Sequence, residues 1–578
     1  AGHPNDSLIN SLPDKSTRVT LSFNDNPQLF FNDQRKFGWM RLMPTIEVPN
    51  IDFFQNPPDF GHPFCEDQLL KDYLERIFSG DPLQEITNEL NIFGNRVLSE
   101  LEPLARAAES HPPVHVPYDP WGKRIDEIRV SDAWNKLHEI AATEGIVASG
   151  YERKYGELSR VYQFAKLYLY HPSSAYYSCP LAMTDGAAKL IENFGSSDLK
   201  EKAYRYLTSR DPKVFWTSGQ WMTERSGGSD VSGTSTVAKK IGKNYELHGV
   251  KWFTSATTSQ MAMTLAKIEG QEKLSLFYVE LRDKDGNLQN IQINRLKDKL
   301  GTKALPTAEL TLEGTPASLV GEEGKGVKTI ATLFNITRLY NACCSVAFMR
   351  RGIALSLDYS KKRMAFGKMI IDHGLHAETL CDLQVRFEAS FLMAFHAAHL
   401  LGKDELKKAD EIESGALRLL IPLAKLYTAK EAVSVISEII ESFGGAGYIE
   451  DTGIPELLRN TQVLSIWEGT TNVLSLDALR AIRKENAADA FMKDVERRMS
   501  RLSHPEIRPL TEKVLAELKR GIKHLMGQVS EEDLNTEARS LSLGLARIYC
   551  AGLLLEQAEW AIKKDKNPRS LLVARRFM

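Results

Sequence analysis

The spacing of apolar residues divides the chain into regions with different periods. Between residues 66 and 213 they recur every three or four positions, which predicts a helical domain. Between residues 214 and 320 they alternate with polar residues, and glycine-containing turns separate the runs, which predicts a β domain. The helical period returns over residues 321–482, where long amphipathic stretches predict a bundle, and further helices are expected over residues 483–578.

The remaining parts of the chain complete this outline. Residues 1–65 have no sustained period, so we expect an arm or a pair of short strands there. The stretch 541–555 is interrupted by Arg547 and is shorter than the ~20 residues that cross a bilayer, so it predicts a buried helix and no transmembrane segment. Because the strands are segregated between helical regions, the fold class is α+β and neither a Rossmann fold nor a TIM barrel.

Composition and charge exclude several classes of protein. The 578 residues are 43% hydrophobic and 26% charged, as in ordinary globular proteins. The net charge of −2 provides no positive field for nucleic acid or an anionic membrane. Residues 481–578 carry an excess of five positive charges, but acidic residues are interleaved with them, so no nucleic-acid partner is expected.

The six cysteines form no C-x-x-C pair and have no spacing typical of a metal site. We therefore expect reduced cysteines, no bound metal and an intracellular location, with the mitochondrial matrix and the cytoplasm both open.

Two segments of the β domain could bind a ligand. Residues 221–232 (W-M-T-E-R-S-G-G-S-D-V-S) combine two glycines with hydroxyl groups, which lets backbone N–H groups approach a ligand, although a polar connection is the alternative. Residues 251–256 (K-W-F-T-S-A) offer Trp252 as a flat face and Thr254 as a hydroxyl, although strand aromatics often belong to a core.

Three segments of the bundle could also carry chemistry. Residues 363–368 (R-M-A-F-G-K) form a basic and aromatic step between two helices, which could hold a phosphate or simply cap a helix C-terminus. Residues 441–448 (E-S-F-G-G-A-G-Y) form a glycine cluster directly after a long helix, and a helix C-terminal stop is the alternative to a functional role there. In residues 464–474 (L-S-I-W-E-G-T-T-N-V-L), the lone carboxylate of Glu468 lies among apolar neighbours and precedes a helix N-terminus. It is a candidate general base next to an anion site, or a turn residue without a role.

Together and in this order, M-T-E-x-x-G-G-S-D-V, K-W-F, R-x-x-F-G, F-G-G-x-G-Y and W-E-G-T resemble the acyl-CoA dehydrogenase family of flavoproteins over residues 117–482. Residues 117–129 (P-Y-D-P-W-G-K-R-I-D-E-I-R), the long arm and the helical extension resemble its AidB-type branch. The resemblance implies an N-terminal helical domain, a central β-barrel domain and a C-terminal helical bundle with an extra helical extension.

The resemblance also implies the chemistry. Glu468 would remove the α-proton of a fatty acyl-CoA, FAD would take the β-hydrogen as hydride, and the product would be the trans-2-enoyl-CoA of fatty acid β-oxidation. The substrate contacts would be Ser229 and Arg338. The FAD contacts would be Met222, Thr223, Gly228, Ser229, Trp252, Thr254, Arg363, Phe366, Gly444, Gly445, Thr470 and Asn472.

Partners follow from the same resemblance. Arg363 and Phe366 match residues that reach FAD across a subunit boundary, so we expect a homo-oligomer, and in particular a tetramer. An electron-transfer flavoprotein is the expected electron acceptor. Small residues at 183–187 and 341–345 would line a deep channel, which favours a medium-to-long acyl chain over a short branched one.

Two positions depart from the family pattern, and other functions stay open. Glu441 and Gly374 stand where glutamine is usual, so either the adenosine end of FAD would be bound differently or Glu441 would face a cation. The alternatives are an acyl-CoA oxidase, an acyl-CoA sequestering flavoprotein with slow turnover, and an AidB-like flavoprotein associated with nucleic acid.

Overall fold

The computed structural model describes residues 17–22, 28–33, 55–526, 530–564 and 568–578. Its first unit, Ala1–Pro57, contains an antiparallel pair of short strands, β1 (Thr17–Ser22) and β2 (Gln28–Asp33). The sequence predicts such a pair in the arm, and the structure has one. The second unit, Pro58–Met578, contains all the other elements.

The second unit begins with a helical region. Its helices are α1 (Gln68–Ile77), α2 (Gly80–Arg96), α3 (Glu102–Ser110), α4 (Asp132–Thr143), α5 (Ala148–Glu152), α6 (Ser159–Tyr170), α7 (Ser178–Phe194), α8 (Ser197–Leu199) and α9 (Arg205–Leu207). The apolar spacing decides which faces are buried. In α1, for example, Leu70, Tyr73 and Leu74 are buried together, and Asp67 caps the helix by accepting the Leu70 N–H at 3.0 Å.

A hairpin interrupts this helical region, which the sequence predicts as helical throughout. Strands β3 (Val114–Tyr118) and β4 (Arg124–Arg129) pair antiparallel. Asp126 of β4 is buried and accepts hydrogen bonds from Arg124 Nε at 2.7 Å and from the Ile293 N–H at 3.1 Å. The hairpin is therefore attached to the β domain, and this long-range contact has no local signal in the sequence.

The β domain forms a closed ring of strands. Its strands are β5 (Ser218–Trp221), β6 (Val237–Ile241), β7 (Asn244–Ser255), β8 (Met261–Ile268), β9 (Leu274–Glu280), β10 (Ile291–Leu296) and β11 (Thr307–Val320). β11 pairs with β7 and β9, β7 pairs with β6, and β8 pairs with both β6 and β9, so the ring closes. β5 pairs with β8, β10 pairs with β11, and apolar side chains that include Trp221 of β5 and Ile291 of β10 fill the interior.

Long helices follow the β domain. They are α10 (Gly326–Lys362), α11 (Gly374–Glu405), α12 (Glu411–Ser442), α13 (Ile454–Gln462) and α14 (Thr471–Lys484), with the small hairpin β12 (Met364–Ala365) and β13 (Lys368–Met369) between α10 and α11. α10 has 37 residues, so it is about 55 Å long. This length separates the residues at its two ends.

The C-terminal extension consists of α15 (Ala487–Ser500), α16 (Arg508–Met526), α17 (Glu531–Lys563) and α18 (Arg569–Phe577). α17 is longer than the helix predicted at 541–555, and by length and composition it could cross a membrane. However, 61% of its most apolar window is buried inside the protein, as in the core helix of a globular protein. The α+β architecture predicted from the sequence, with a barrel between helical regions, is confirmed.

Candidate functional site

Glu468 lies in a strained turn that directly precedes α14. Its φ angle is +58°, in the left-handed region, and that of Gly469 is +101°. The left-handed conformation costs a residue with a Cβ roughly 1–2 kcal/mol, so the surrounding structure must hold the turn. Strained residues of this kind concentrate at functional sites.

The carboxylate of Glu468 faces polar groups. Thr337 Oγ1 donates a hydrogen bond to Oε2 at 2.6 Å, and Gln220 Nε2 lies 3.4 and 3.5 Å from the two carboxylate oxygens. Trp467 instead packs against Tyr176, with 5.7 Å between the ring centroids. The sequence places apolar residues around Glu468, but the tertiary contacts of its carboxylate are with a hydroxyl and an amide.

Two cations hold the backbone of this turn. Arg338 Nε lies 3.4 Å from the carbonyl oxygen of Glu468, and its Nη1 pairs with Asp477 at 2.8 Å. Lys425 Nζ donates to the carbonyl oxygen of Gly469 at 2.6 Å. Arg338, predicted near the substrate, therefore contacts the turn that carries Glu468.

The two predicted cofactor segments of the β domain are joined to each other. Lys251 Nζ pairs with Glu224 Oε1 at 2.8 Å, and both side chains are buried. The Trp252 N–H donates to the Thr223 carbonyl at 2.9 Å. A Cβ at Gly228 would lie 2.3 Å from Thr223 Oγ1, so only glycine fits there.

The other predicted residues of these segments have distinct environments. Met222 is buried, whereas Ser229 is exposed. Lys297 Nζ lies 3.4 Å from the ring centroid of Trp252, which is half-buried. Thr254 Oγ1 donates to the Ala308 carbonyl at 2.7 Å, and its oxygen can still accept a hydrogen bond from a ligand.

Thr470 and Asn472 lie at the N-terminus of α14. Thr470 is the N-cap residue, and its side chain accepts the Val473 N–H at 3.5 Å. Asn472 Oδ1 accepts a hydrogen bond from Arg539 Nη1 of α17 at 3.1 Å. The C-terminal extension thus reaches this predicted cofactor position.

The remaining four predicted residues lie far from Glu468 in the same chain. Arg363 caps the C-terminus of α10, 25 residues after Arg338, which corresponds to about 37 Å along the helix. The rings of Tyr359 and Phe443 are 4.7 Å apart between centroids, which places the start of the glycine cluster at the same end of the bundle. One chain therefore does not bring Arg363, Phe366, Gly444 and Gly445 together with Glu468.

This distant group is open to solvent in the single chain. Phe366 is 97% exposed and has a φ angle of +50°. A Cβ at Gly444 or Gly445 would meet no atom within 4 Å. Glu441, one of the two departures from the family pattern, is also exposed at this end.

The two segments expected to line the acyl channel pack against each other. Asp185 of α7 forms a buried ion pair with Arg160 at 2.9 Å and accepts the Tyr340 hydroxyl of α10 at 2.9 Å. Asp185 therefore belongs to a structural network. Asn341 Oδ1, by contrast, is buried and has no hydrogen-bond partner among the described residues.

The arrangement fits a flavin cofactor. Gln220 Oε1 is buried beside Glu468 and has no hydrogen-bond partner among the described residues, so it requires a donor. The glycine at 228 lets the backbone of the first segment pack closely against Thr223, and the α14 N-terminus can accept an anionic group. Residues 222–229, Trp252 and Thr254 would hold the ring system, and Thr470 and Asn472 would lie towards the phosphates.

The sequence motifs do not include three residues of the site, Thr337, Lys425 and Gln220. Thr337 directly precedes Arg338, so the neighbouring motif could have indicated it. Lys425 is a cation within the apolar run 419–429 of α12, which is itself an unusual pattern. Gln220 gives no signal, because only the barrel brings it to Glu468.

Family models match four successive parts of the chain. The adaptive response protein AidB N-terminal domain matches residues 57–211, and the acyl-CoA dehydrogenase middle domain matches residues 219–315. The acyl-CoA dehydrogenase C-terminal domain matches residues 324–482, and the acyl-CoA dehydrogenase 11 C-terminal domain-like family matches residues 486–578.

Individual relatives cover most of the chain. It is 44% identical over 529 residues to acyl-CoA dehydrogenase family member 11 of Caenorhabditis elegans, covering 88% of this chain and 86% of the relative. It is 31% identical to the putative acyl-CoA dehydrogenase AidB of Escherichia coli strain K12, covering 66% of this chain and 71% of the relative. The crystal structure of ACDH-11 from Caenorhabditis elegans in complex with C11-CoA has 42% identity and a TM-score of 0.88, covering 91% of this chain and 92% of that chain.

Proposed function

The chain belongs to the acyl-CoA dehydrogenase family of FAD-dependent oxidoreductases, and we propose that it converts medium-to-long-chain fatty acyl-CoA to trans-2-enoyl-CoA in fatty acid β-oxidation. The main observation that supports this proposal is the position of the Glu468 carboxylate. It is half-buried, is oriented by Thr337 at 2.6 Å, and lies beside the strand that leads into the predicted flavin segment.

Each residue of the site has a role in this reaction. Glu468 accepts the α-proton, and the Thr337 hydroxyl fixes the carboxylate in one orientation while this occurs. FAD, when bound, supplies the acceptor for the β-hydrogen as hydride. The Glu468 carboxylate is restricted to one orientation by the hydrogen bond from Thr337 and the contact with Gln220. This fixed orientation favours proton transfer.

Two observations support a medium-to-long acyl chain. Small residues occupy positions 341–345 of α10, and they are buried next to α7. The relative from Caenorhabditis elegans was crystallised with C11-CoA. Each buried CH₂ contributes roughly 0.8 kcal/mol, so affinity should rise with chain length until the channel ends.

The decisive experiment is an anaerobic titration of the FAD-loaded protein with saturated acyl-CoAs of increasing chain length. Bleaching of the flavin, strongest with medium and long chains, would support the proposal. Full bleaching with a short branched chain and weak bleaching with long ones would contradict the chain-length assignment. Binding of acyl-CoA without bleaching would instead favour a sequestering protein.

We also propose a homo-oligomer, with a tetramer as the expected state. The support is that Arg363 lies about 37 Å along α10 from Arg338, which contacts the Glu468 turn, so a neighbouring subunit could supply the distant FAD contacts. An electron-transfer flavoprotein is the proposed acceptor. Oxygen consumption during turnover would favour the oxidase alternative.

The contacts of the C-terminal extension support an enzyme rather than a nucleic-acid binder. Within its described residues, six arginines are paired with carboxylates, which reduces the positive charge available to a nucleic acid: Arg497, Arg498, Arg520, Arg569, Arg575 and Arg576.

A further inference from the structure

A buried lysine lies directly behind the turn that carries Glu468. Lys425 lies in the middle of α12, its side chain is 0% exposed, and the helix around it is apolar. Among the described residues, the hydrogen bond of its Nζ goes to a backbone carbonyl, that of Gly469, at 2.6 Å. Burying an ammonium group is costly, so a lysine at this position calls for a function.

The turn itself requires external support. Glu468 has a φ angle of +58°, which a residue with a Cβ adopts only where its neighbours enforce it. Two cations contact consecutive carbonyls of this turn, Arg338 at 3.4 Å and Lys425 at 2.6 Å. Only the Lys425 contact has the length of a strong hydrogen bond, so Lys425 is the main support.

We propose that Lys425 is a positioning residue that fixes the Glu468–Gly469 turn in the geometry from which Glu468 removes the α-proton. It acts through the backbone of the turn, and it does not need to touch the substrate. The inference rests on the proposed function, because it assigns Glu468 as the base. It adds a residue from α12 to a site otherwise built from the turn, α10 and β5.

The electrostatic surroundings of Lys425 are consistent with this role. Burial lowers the pKa of Lys425 to about 7, the Glu468 carboxylate opposes this shift, and Arg338 adds to it. Beside them, Asp477 pairs with both Arg338 and Arg418 at 2.8 Å, and Glu485 also pairs with Arg418 at 2.8 Å, so two carboxylates compensate the two arginines.

The protonation state of Lys425 then affects the strength of its hydrogen bond to the Gly469 carbonyl. Below about pH 7 the amine is charged and makes a charge-assisted hydrogen bond to the Gly469 carbonyl, which is stronger than a neutral one. As the pH rises through 7 the proton is lost and the support weakens. The rate of flavin reduction should therefore decline in this range.

The test compares three variants of the full chain loaded with FAD. Lys425→Met keeps the size but loses the donor, and Lys425→Arg keeps a permanent charge. Lys166→Met is the matched control, because Lys166 is also buried and also donates to a backbone carbonyl, that of Glu144 at 2.8 Å. Lys166 lies on α6, and its other contacts in the described part of the chain are with the Glu144 carboxylate, Glu89 and the rings of Phe93 and Tyr162, which all lie outside the site.

The measurement is the anaerobic rate of flavin reduction at saturating acyl-CoA, with acyl-CoA affinity determined in parallel. We expect Lys425→Met to reduce flavin about 100-fold more slowly at nearly unchanged affinity, because small displacements of a base have effects of this size. Lys425→Arg should recover part of the rate and lose the decline near pH 7. Lys166→Met should reduce flavin at the wild-type rate.

Hydrogen exchange of the cofactor-free protein provides a second, independent readout. Amides in residues 464–472 should exchange faster in Lys425→Met than in Lys166→Met. Equal exchange in the two variants, or flavin reduction by Lys425→Met within twofold of wild type, would overturn the inference.

If Lys425→Met does not fold, a wild-type pH profile in Lys425→Arg would overturn it. If acyl-CoA does not reduce the flavin of the wild-type protein, the proposed function is contradicted. Hydrogen exchange would still test the role of Lys425 in that case.

Discussion

Lys251 and Glu224 form a buried ion pair at 2.8 Å that joins the two predicted flavin segments of the β domain. Glu224 belongs to the M-T-E motif, and Lys251 begins the K-W-F motif. The same carboxylate accepts hydrogen bonds from the N–H and hydroxyl groups of Ser235 and Thr236. The pair therefore fixes the loop after β5 relative to β7, and both loop and strand carry predicted FAD contacts.

Removing one partner of this pair should destabilise the protein strongly. Lys251→Met leaves Glu224 buried without its cation, which typically costs about 3–5 kcal/mol. We expect a lower midpoint in urea unfolding and weaker FAD retention. The double variant Glu224→Gln/Lys251→Met is the control, and it should recover most of the loss, because no buried charge is left unpaired. Equal stability of the single variant and wild type would show that the pair is not buried in solution.

The same pair should make stability depend on pH in the acid range. Burial raises the pKa of Glu224, but the Lys251 ammonium and the hydroxyl hydrogen bonds outweigh it and lower the pKa from 4.5 to about 2. A depressed carboxyl pKa contributes stability that is fully present above 4.5 and is lost as the pH falls towards 2. Urea unfolding at several pH values should show a steeper acid loss in wild type than in the double variant. Parallel curves would contradict the assignment.

Glu468→Gln should abolish most catalysis without preventing acyl-CoA binding. The amide keeps the size of the side chain and can still accept the Thr337 hydrogen bond, but it cannot take a proton. We expect anaerobic flavin reduction to slow by about 10²–10⁴-fold. Glu456→Gln, a change of another half-buried glutamate on the neighbouring α13, is the control and should leave the rate near wild type. Reduction at close to the original rate in Glu468→Gln would assign the base elsewhere.

Phe366→Asp should disrupt self-association and FAD binding together. The Phe366 side chain is 97% exposed in the single chain, so a charge there costs the isolated fold little but would be buried in a subunit interface. Sedimentation should show smaller species that have lost the flavin absorbance. Ile92→Asp, on the 66% exposed Ile92 of α2, controls for the added surface charge. An FAD-bound monomer would contradict contacts between subunits.

The apolar periodicity determined the class and order of the elements. The period of three to four residues marked α10, α11 and α12, and alternation marked β7 to β10, because burial of one face is a local property of the sequence. The ordered set of motifs was also sufficient to indicate the family, because each motif is local, and the same motifs predict Glu468 as the base.

Tertiary structure alone decided the environment of those residues. It brought Gln220 of β5, Thr337 of α10 and Lys425 of α12 to a turn more than 40 residues from each of them along the chain. It also attached the β3–β4 hairpin to β10 through Asp126, within a region of helical period. These contacts join residues distant in sequence, and no local pattern specifies them. The length of α10 likewise separated Arg363 from Glu468, because a rigid helix fixes the distance between its ends.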